Sequence, residues 1–269
     1  MAYAVQCHKN PNQVNLLINT LDCPNVDFFI HVDKKSEIID KITKKENIHL
    51  IKKRYDVQWG GFSQVKASLE IFSEIRKNGN YDYVHLISGQ DFPLKSNIDL
   101  INFFIENKGS QFIEFIDLPR HLYNRVEVYY PSFFTENGKN GTARGIYKRL
   151  VMLSKFLKRD LSKMPKIFKG SSWFSITGDC LNYILDFIKH DEIFYDFFKN
   201  TFCSDELFFQ TILLNSPYSD RIVNNNYRYI NWEEGAPSPK TLQFKDLPKL
   251  KNSNKLFGRK FDSDTELRS

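Results

Sequence analysis

Cysteine is scarce in this chain, with four in 269 residues (Cys7, Cys23, Cys180 and Cys203), and none stands in a CxxC or metal-ligand spacing. A disulfide framework and a zinc site are therefore excluded as organising devices, and the thiols read as reduced groups of a cytoplasmic protein. The six histidines form no HExxH pattern, so no metal site is expected. No stretch approaches the roughly 18–20 consecutive apolar residues of a spanning helix, in line with a mean hydropathy of −0.45. The first residues, MAYAVQCHKN, lack a basic leader followed by an apolar run, which argues against a signal peptide. Glycine and proline are too few, at 12 and 10, for a collagenous or low-complexity chain. Neither GxGxxG nor a P-loop occurs, so dinucleotide binding and P-loop phosphoryl transfer find no support. Charge of one sign is lacking too: 38 basic against 32 acidic residues leave a net of +6. That is mild for a nucleic-acid binder and suits an anionic ligand or membrane surface better.

Aromatic residues, by contrast, are abundant at 15%, including 24 Phe and 13 Tyr. They serve either a bulky core or stacking platforms, and composition does not choose between these. Length and the lack of linkers or repeats favour one domain over residues 1–269.

The first two-thirds of the chain alternates strand and helix signals. Strands are expected at 2–7, 26–32, 48–51, 83–87 and 112–116, and helices after Pro11, at 36–44, at 63–76 and at 98–105. Such alternation predicts an α/β fold, with a mainly parallel central sheet flanked by helices. Ligands of such sheets bind at the carboxyl ends of strands, which directs attention to residues 7–11, 31–36, 56–63 and 87–96. Residues 148–169 differ, carrying eight basic residues and one acid, Asp160. Leu150, Leu153, Leu157, Leu161 and Met164 recur there at helical spacing, giving either a surface helix with a solvated basic face or a peripheral contact with an anionic membrane.

Several residues suit chemistry. Glu206, in Cys203-Ser204-Asp205-Glu206-Leu207-Phe208-Phe209, falls in the first turn of an expected helix capped by Ser204 or Asp205. There it is either a capping acid or a general base. Arg259 and Lys260 stand side by side between Phe257 and Phe261, a planar fork and a point charge suited to a diphosphate or simply a surface pair. The stiff turn Glu234-Gly235-Ala236-Pro237-Ser238-Pro239 delivers Lys240 to one place. Asp91 follows a strand where metal-dependent nucleotide-sugar enzymes often carry a pair of aspartates; here it is alone. Asp262-Ser263-Asp264 does form such a pair, but next to the basic cluster it reads as solvated.

The motifs run in a recognisable order: Phe29-Ile30-His31-Val32-Asp33, Trp59-Gly60-Gly61-Phe62-Ser63, Ser88-Gly89-Gln90-Asp91-Phe92-Pro93-Leu94-Lys95, and Gly170-Ser171-Ser172-Trp173-Phe174. Asp205-Glu206-Leu207-Phe208-Phe209, Asn215-Ser216-Pro217, Val223-Asn224-Asn225-Asn226, Tyr229-Ile230-Asn231-Trp232 and Leu256-Phe257-Gly258-Arg259-Lys260 follow. From about residue 3 to 262 the chain resembles the core-2/I-branching glycosyltransferases, the family that also holds peptide O-xylosyltransferases. The resemblance implies a GT-A fold and an inverting transfer from a UDP-sugar without a metal cofactor. It implies Glu206 as the catalytic base, Arg259 and Lys260 as the diphosphate clamp, and, across an alignment gap, Lys240 as a further phosphate ligand. His8, Asp33, Trp59 and Ser63 are the candidates to meet the uridine end of the donor, and Asp91, Ser172 and Trp173 to meet sugar or acceptor, each against a purely structural role. UDP-N-acetylglucosamine, UDP-xylose and UDP-galactose all fit as donors. Xylosyltransferases have Asp where this chain has Ser172, so donor preference stays open.

The chain thus reads as a microbial enzyme acting on a glycan or lipid-linked acceptor in surface polysaccharide synthesis, cytoplasmic or peripheral at the inner membrane face, with no nucleic-acid partner. A glycoside hydrolase would need a converging acid and base, for which Glu114, Asp117 and Glu206 are available. A non-catalytic RNA-binding protein would use the basic balance and the aromatics.

Overall fold

The structure, a computed structural model, describes residues 1–131, 158–232 and 238–262, with residues 149, 152, 153 and 156 between them. Strands are β1 (Ala2–Cys7), β2 (Asp27–Val32), β3 (Ile48–Leu50), β4 (Tyr83–Ser88), β5 (Asp91–Pro93), β6 (Gln111–Phe112), β7 (Phe115–Asp117), β8 (Phe168–Gly170), β9 (Phe174–Thr177), β10 (Ile222–Val223), β11 (Arg228–Ile230) and β12 (Phe257–Arg259). Helices are α1 (Pro11–Leu21), α2 (Ser63–Asn78), α3 (Asn97–Glu106), α4 (Asn124–Glu127), α5 (Gly178–His190), α6 (Glu192–Lys199), α7 (Phe208–Leu214) and α8 (Leu247–Lys251).

Seven strands form the main sheet in the order β10-β6-β9-β4-β1-β2-β3. β4, β1, β2 and β3 run parallel, while β9 is antiparallel to both β4 and β6. The expected α/β class holds. Strand alternation sends neighbouring side chains to opposite faces. Ala2, Ala4, Phe29, Val84, Leu86 and Phe174 face α2, α5 and α7 in one core, and Tyr3, Val5, Phe28, Ile30 and Ile87 face α1 and α3 in the other. The aromatic excess goes mainly into these cores: Phe72, Phe174 and Phe209 pack on one face, and Tyr83, Phe104 and Phe112 on the other. A second, three-stranded sheet, β11-β12-β5, carries the Arg259 segment against the end of the main sheet.

Three expected elements differ. Only Ile39–Lys41 of residues 36–44 is helical, as a single 3-10 turn. Asn15 of α1 pins this segment by donating to the Lys41 carbonyl (2.8 Å) and accepting from the Thr43 amide (2.9 Å). The strand expected at 112–116 divides into β6, on the main sheet, and β7, paired with β8. In the basic stretch, residues 158–167 form no helix, and the part of that expectation between 148 and 157 lies mostly outside the described residues. Leu161 and Met164 pack on the core. Arg159 lies over the Phe197 ring at 3.6 Å and donates to the Asn200 carbonyl and Thr201 hydroxyl, both at 3.0 Å. An inward guanidinium replaces the solvated face there. Among the described residues no helix is long and apolar enough to cross a membrane.

Phe174 is fully buried between Phe72 and Phe209. Phe174→Ala is expected to cost about 3–5 kcal/mol in a urea unfolding curve, the range for emptying a packed aromatic site. A loss under 1 kcal/mol would mean that this core closes over the gap.

Candidate functional site

The carboxyl ends of β1, β2 and β4 open into a cavity of about 560 Å³. Its wall includes His8 after β1, His31 and Asp33 at the end of β2, Trp59, Ser88 and Gln90 after β4, and Trp173, Arg259 and Lys260. Gly89 lets the first of these loops cross: a Cβ there would fall 2.7 Å from the Cys7 Cβ and 2.9 Å from Val14 Cγ2.

Arg259 is 7% exposed and is paired across the small sheet with Asp91. The Arg259 Nη1 stands 3.3 Å from Asp91 Oδ1, and Asp91 Oδ2 accepts from the Ser88 amide at 3.0 Å. The Arg259 guanidinium also lies over the Trp173 ring, 4.6 Å from its centre. Arg228, on β11, is buried nearby and donates to the Ser175 hydroxyl and the Phe174 carbonyl, both at 3.0 Å. Burial pushes Arg228 down to about 10, and burial likewise lowers Arg259, with Asp91 opposing in both cases. Lys260 is lowered by burial and then by the Arg259 charge beside it. Two buried guanidinium groups thus share one buried carboxylate, and Lys260 adds a further cation at the cavity wall. Uncompensated buried positive charge favours an anion.

Asp91 therefore supports Arg259 and does not reach sugar or acceptor: it is completely buried. Ser63 is also a support. Its hydroxyl accepts from the Gln58 amide at 2.8 Å, fixing the 58–62 loop at the start of α2, and it lies outside the cavity wall. Lys240 runs beside Lys260 through the backbone, with the Leu242 amide on the Lys260 carbonyl at 2.7 Å; its side chain is not part of the wall. The turn expected at 234–239 lies mostly outside the described residues. Asp262 is not solvated: it binds Lys9 at 2.6 Å and Asn10 at 2.9 Å, tying the Arg259 segment to the loop after β1.

His8 stays on the cavity rim, its imidazole lowered by partial burial and then by Lys9. Asp33 accepts from the Lys35 amide at 2.9 Å. Trp59 is 72% exposed, makes an edge contact with Phe202 and lines the cavity. His31, which the sequence did not single out, is pushed down to about 4 by burial, and its Nε2 accepts from the Tyr55 amide at 2.9 Å.

Glu206 precedes the α-helix rather than standing in its first turn. Ser204–Glu206 is a 3-10 turn with no side-chain cap, and α7 starts beyond it at Phe208. The Glu206 carboxylate is held by cations instead, Arg125 at 2.7 Å and Lys169 at 3.2 Å. Beside it, Asp205 accepts from the Ser172 hydroxyl at 2.6 Å. Burial pushes the Asp205 carboxyl up to about 6, with the Ser172 hydrogen bond opposing and Glu206 adding to the rise. One segment links this pair to the cavity: Lys169 meets Glu206, Ser172 meets Asp205, and Trp173 lies under Arg259. Gly170 sets its path, since a Cβ there would sit 1.7 Å from the Glu114 carbonyl oxygen. Arg125 and Asp205 had no motif of their own, although Asp205 adjoins Glu206 in sequence.

Asp91→Asn leaves the buried Arg259 charge without its partner. The expected loss is about 3–5 kcal/mol by chemical denaturation; an unchanged midpoint would mean that the pair does not support β12.

The family described as Core-2/I-Branching enzyme matches residues 1–251. Xylosyltransferase oxt of Drosophila melanogaster is 25% identical over 280 residues, covering 93% of this chain and 30% of the fly protein. The Bos taurus beta-1,3-galactosyl-O-glycosyl-glycoprotein beta-1,6-N-acetylglucosaminyltransferase is 23% identical over 300 residues, covering 99% of this chain and 67% of that protein. The chain thus spans only about 30% of the length of the curated xylosyltransferases it matches. Among solved structures, apo mouse xyloside xylosyltransferase 1 aligns over 98% of this chain and 99% of its own, at 10% identity and a TM-score of 0.42. With 251 of 269 residues inside the match, the chain belongs to the Core-2/I-branching enzyme family.

Proposed function

We propose that the protein is a glycosyltransferase with a GT-A-type domain that takes a sugar from a UDP-sugar and places it on a glycan hydroxyl with inversion. The observation that carries the reading is the buried Arg259 guanidinium, stacked on Trp173 and facing a cavity at the strand ends. A diphosphate would supply the anion that this excess positive charge lacks. Family membership and the names of the relatives support the same activity.

In the proposed reaction the donor's uridine end lies toward His8, Asp33 and Trp59, and its diphosphate lies on Arg259 and Lys260. The diphosphate gains charge as the bond to the anomeric carbon breaks. Cations already fixed in place stabilise that charge without reorganising. This would allow transfer without a metal, and the strand-end carboxylate Asp91 is already engaged by Arg259. Inversion needs the acceptor hydroxyl to attack from the opposite face while a carboxylate takes its proton. Asp205 and Glu206 are linked to the cavity through residues 169–173, with Glu206 at the family's position for the base. UDP-xylose, UDP-N-acetylglucosamine and UDP-galactose are the donors to test. A lipid-linked acceptor in surface polysaccharide synthesis would suit the exposed Met152, Leu153 and Phe156 of the basic stretch, which would then lie against the cytoplasmic membrane face.

The test avoids the acceptor. Ligand at about 100 times its dissociation constant adds about 2.7 kcal/mol to stability, and each kcal/mol moves the midpoint of a domain this size by about 2–4 °C. UDP in EDTA is expected to raise the Tm by several degrees, and Arg259→Ala and Lys260→Ala to abolish or shrink that rise. A rise that requires manganese would overturn the metal-free clamp, and no rise under either condition would overturn the transferase.

A further inference from the structure

We propose that the outer face of the small sheet binds an anionic phospholipid of a membrane surface, with an acyl chain in an apolar cavity and the phosphate on a rim of lysines. The inference goes beyond the transferase reading and does not use Met152, Leu153 or Phe156. Strand alternation gives β5 two unlike faces. Asp91 meets Arg259 on one, whereas Phe92 and Leu94, which alternate with it, line a second cavity of about 400 Å³. Gly258 pairs with Phe92 across the sheet, and a Cβ there would fall 3.1 Å from the Phe261 ring and 3.2 Å from Leu94. The missing side chain thus gives those two residues their room. Leu16 from α1 and Leu247 and Leu250 from α8 line the cavity with them.

Apolar surface left open in this way marks a binding site, and its surroundings say for what. Leu16 is 51% exposed on a helix that buries Val14, Leu17, Ile18 and Leu21. Ile98 is 71% exposed, and its neighbour Asn97 donates to the Thr20 carbonyl at 3.0 Å, which brings Ile98 to the end of the same helix. Residues 240–255 carry five lysines and one acid, Asp246. That acid is buried and accepts from the Gln243 amide at 2.9 Å. Lys245, Lys249 and Lys251 are exposed, and among the described residues none of the three meets a carboxylate. Lys251 itself lines the cavity. The acid at the rim, Asp262, is taken by Lys9 at 2.6 Å.

Outstanding apolar residues beside lysines that no acid answers match the boundary between acyl chains and anionic headgroups. A nucleic acid would use the charge and leave the cavity empty, and a neutral apolar molecule would use the cavity and leave the lysines unanswered. An anionic phospholipid uses both.

The experiment is sedimentation of the full chain with vesicles of phosphatidylcholine alone or mixed equally with phosphatidylglycerol. Binding is expected to the mixed vesicles in 0.1 M NaCl, and to fall away in 1 M NaCl, where charges are screened beyond about 3 Å. Each lysine near an anionic surface is worth about fivefold in partition. The triple variant Lys245→Gln, Lys249→Gln, Lys251→Gln should therefore bind about 100-fold more weakly. Leu16→Gln with Ile98→Gln keeps the lysines and should cost at least about tenfold, the scale of burying one such side chain. All five positions lie outside the wall of the donor cavity, so the UDP thermal shift should persist in both variants.

A second readout locates the acyl chain. Phosphatidylglycerol carrying a doxyl spin label on its chain should broaden the methyl resonances of Leu16, Leu247 and Leu250. Equal binding to the uncharged vesicles, partition unchanged in either variant, or broadening confined to other methyl groups would overturn the proposal. Self-association abolished by the Leu16→Gln, Ile98→Gln variant, without vesicle binding, would give the face to a second copy of the chain and overturn it too. Each of these failures would leave the UDP shift, and with it the transferase reading, standing.

Discussion

Arg259 sits almost completely out of water with one carboxylate, Asp91, to answer its charge. Such a pair is costly to bury and more costly to break, so the surrounding chain is arranged to hold it. β12 brings Arg259 into register with Asp91 on β5, and the Asp262 contacts with Lys9 and Asn10 tie the end of that segment to the loop after β1. Arg228, on the neighbouring strand β11, adds a second buried cation. The result is a fixed excess of positive charge at the carboxyl ends of the central strands, where α/β sheets bind ligands.

The other half of the site depends on a steric constraint. Between Lys169 and Trp173 the chain passes so close to the Glu114 carbonyl that only glycine fits at 170. The Gln210 side-chain amide, donating to the Ser171 carbonyl at 2.6 Å, holds the same stretch. That path lets one short segment touch the Glu206 carboxylate, the Asp205 carboxylate and the Arg259 guanidinium in turn. Arg259 and Lys260 thus stand on the cavity side of this segment, and the Asp205 and Glu206 carboxylates meet its other end.

Much of this was legible in the chain. Period-two and period-3.6 patterns located β1, β2, α2, β4 and α3 to within a few residues, because each buries a continuous apolar face that composition must encode. The motif order pointed to the family, and the strand-end positions His8, Asp33 and Trp59 do line the cavity. The misses have a common origin. Residues 36–44 and 158–167 have helical spacing, yet side chains from elsewhere, Asn15 in one case and the Phe197 ring in the other, fix them differently. Asp91 and Ser63 had the right address and the wrong direction, since a strand-end position does not say whether a side chain points into the cavity or beneath it.

The sequence by itself determined the α/β class, the two apolar faces of the sheet and the presence of a basic pair and an acidic pair in the last third. These are local properties, set by periodicity and by residue type. Only the tertiary structure decided that Asp91 belongs to Arg259, that Glu206 belongs to Arg125 and Lys169, and that Asp205 is left to Ser172. The partners are 33 to 168 residues apart in the chain, and how basic or available a charged group is depends on what folding brings beside it.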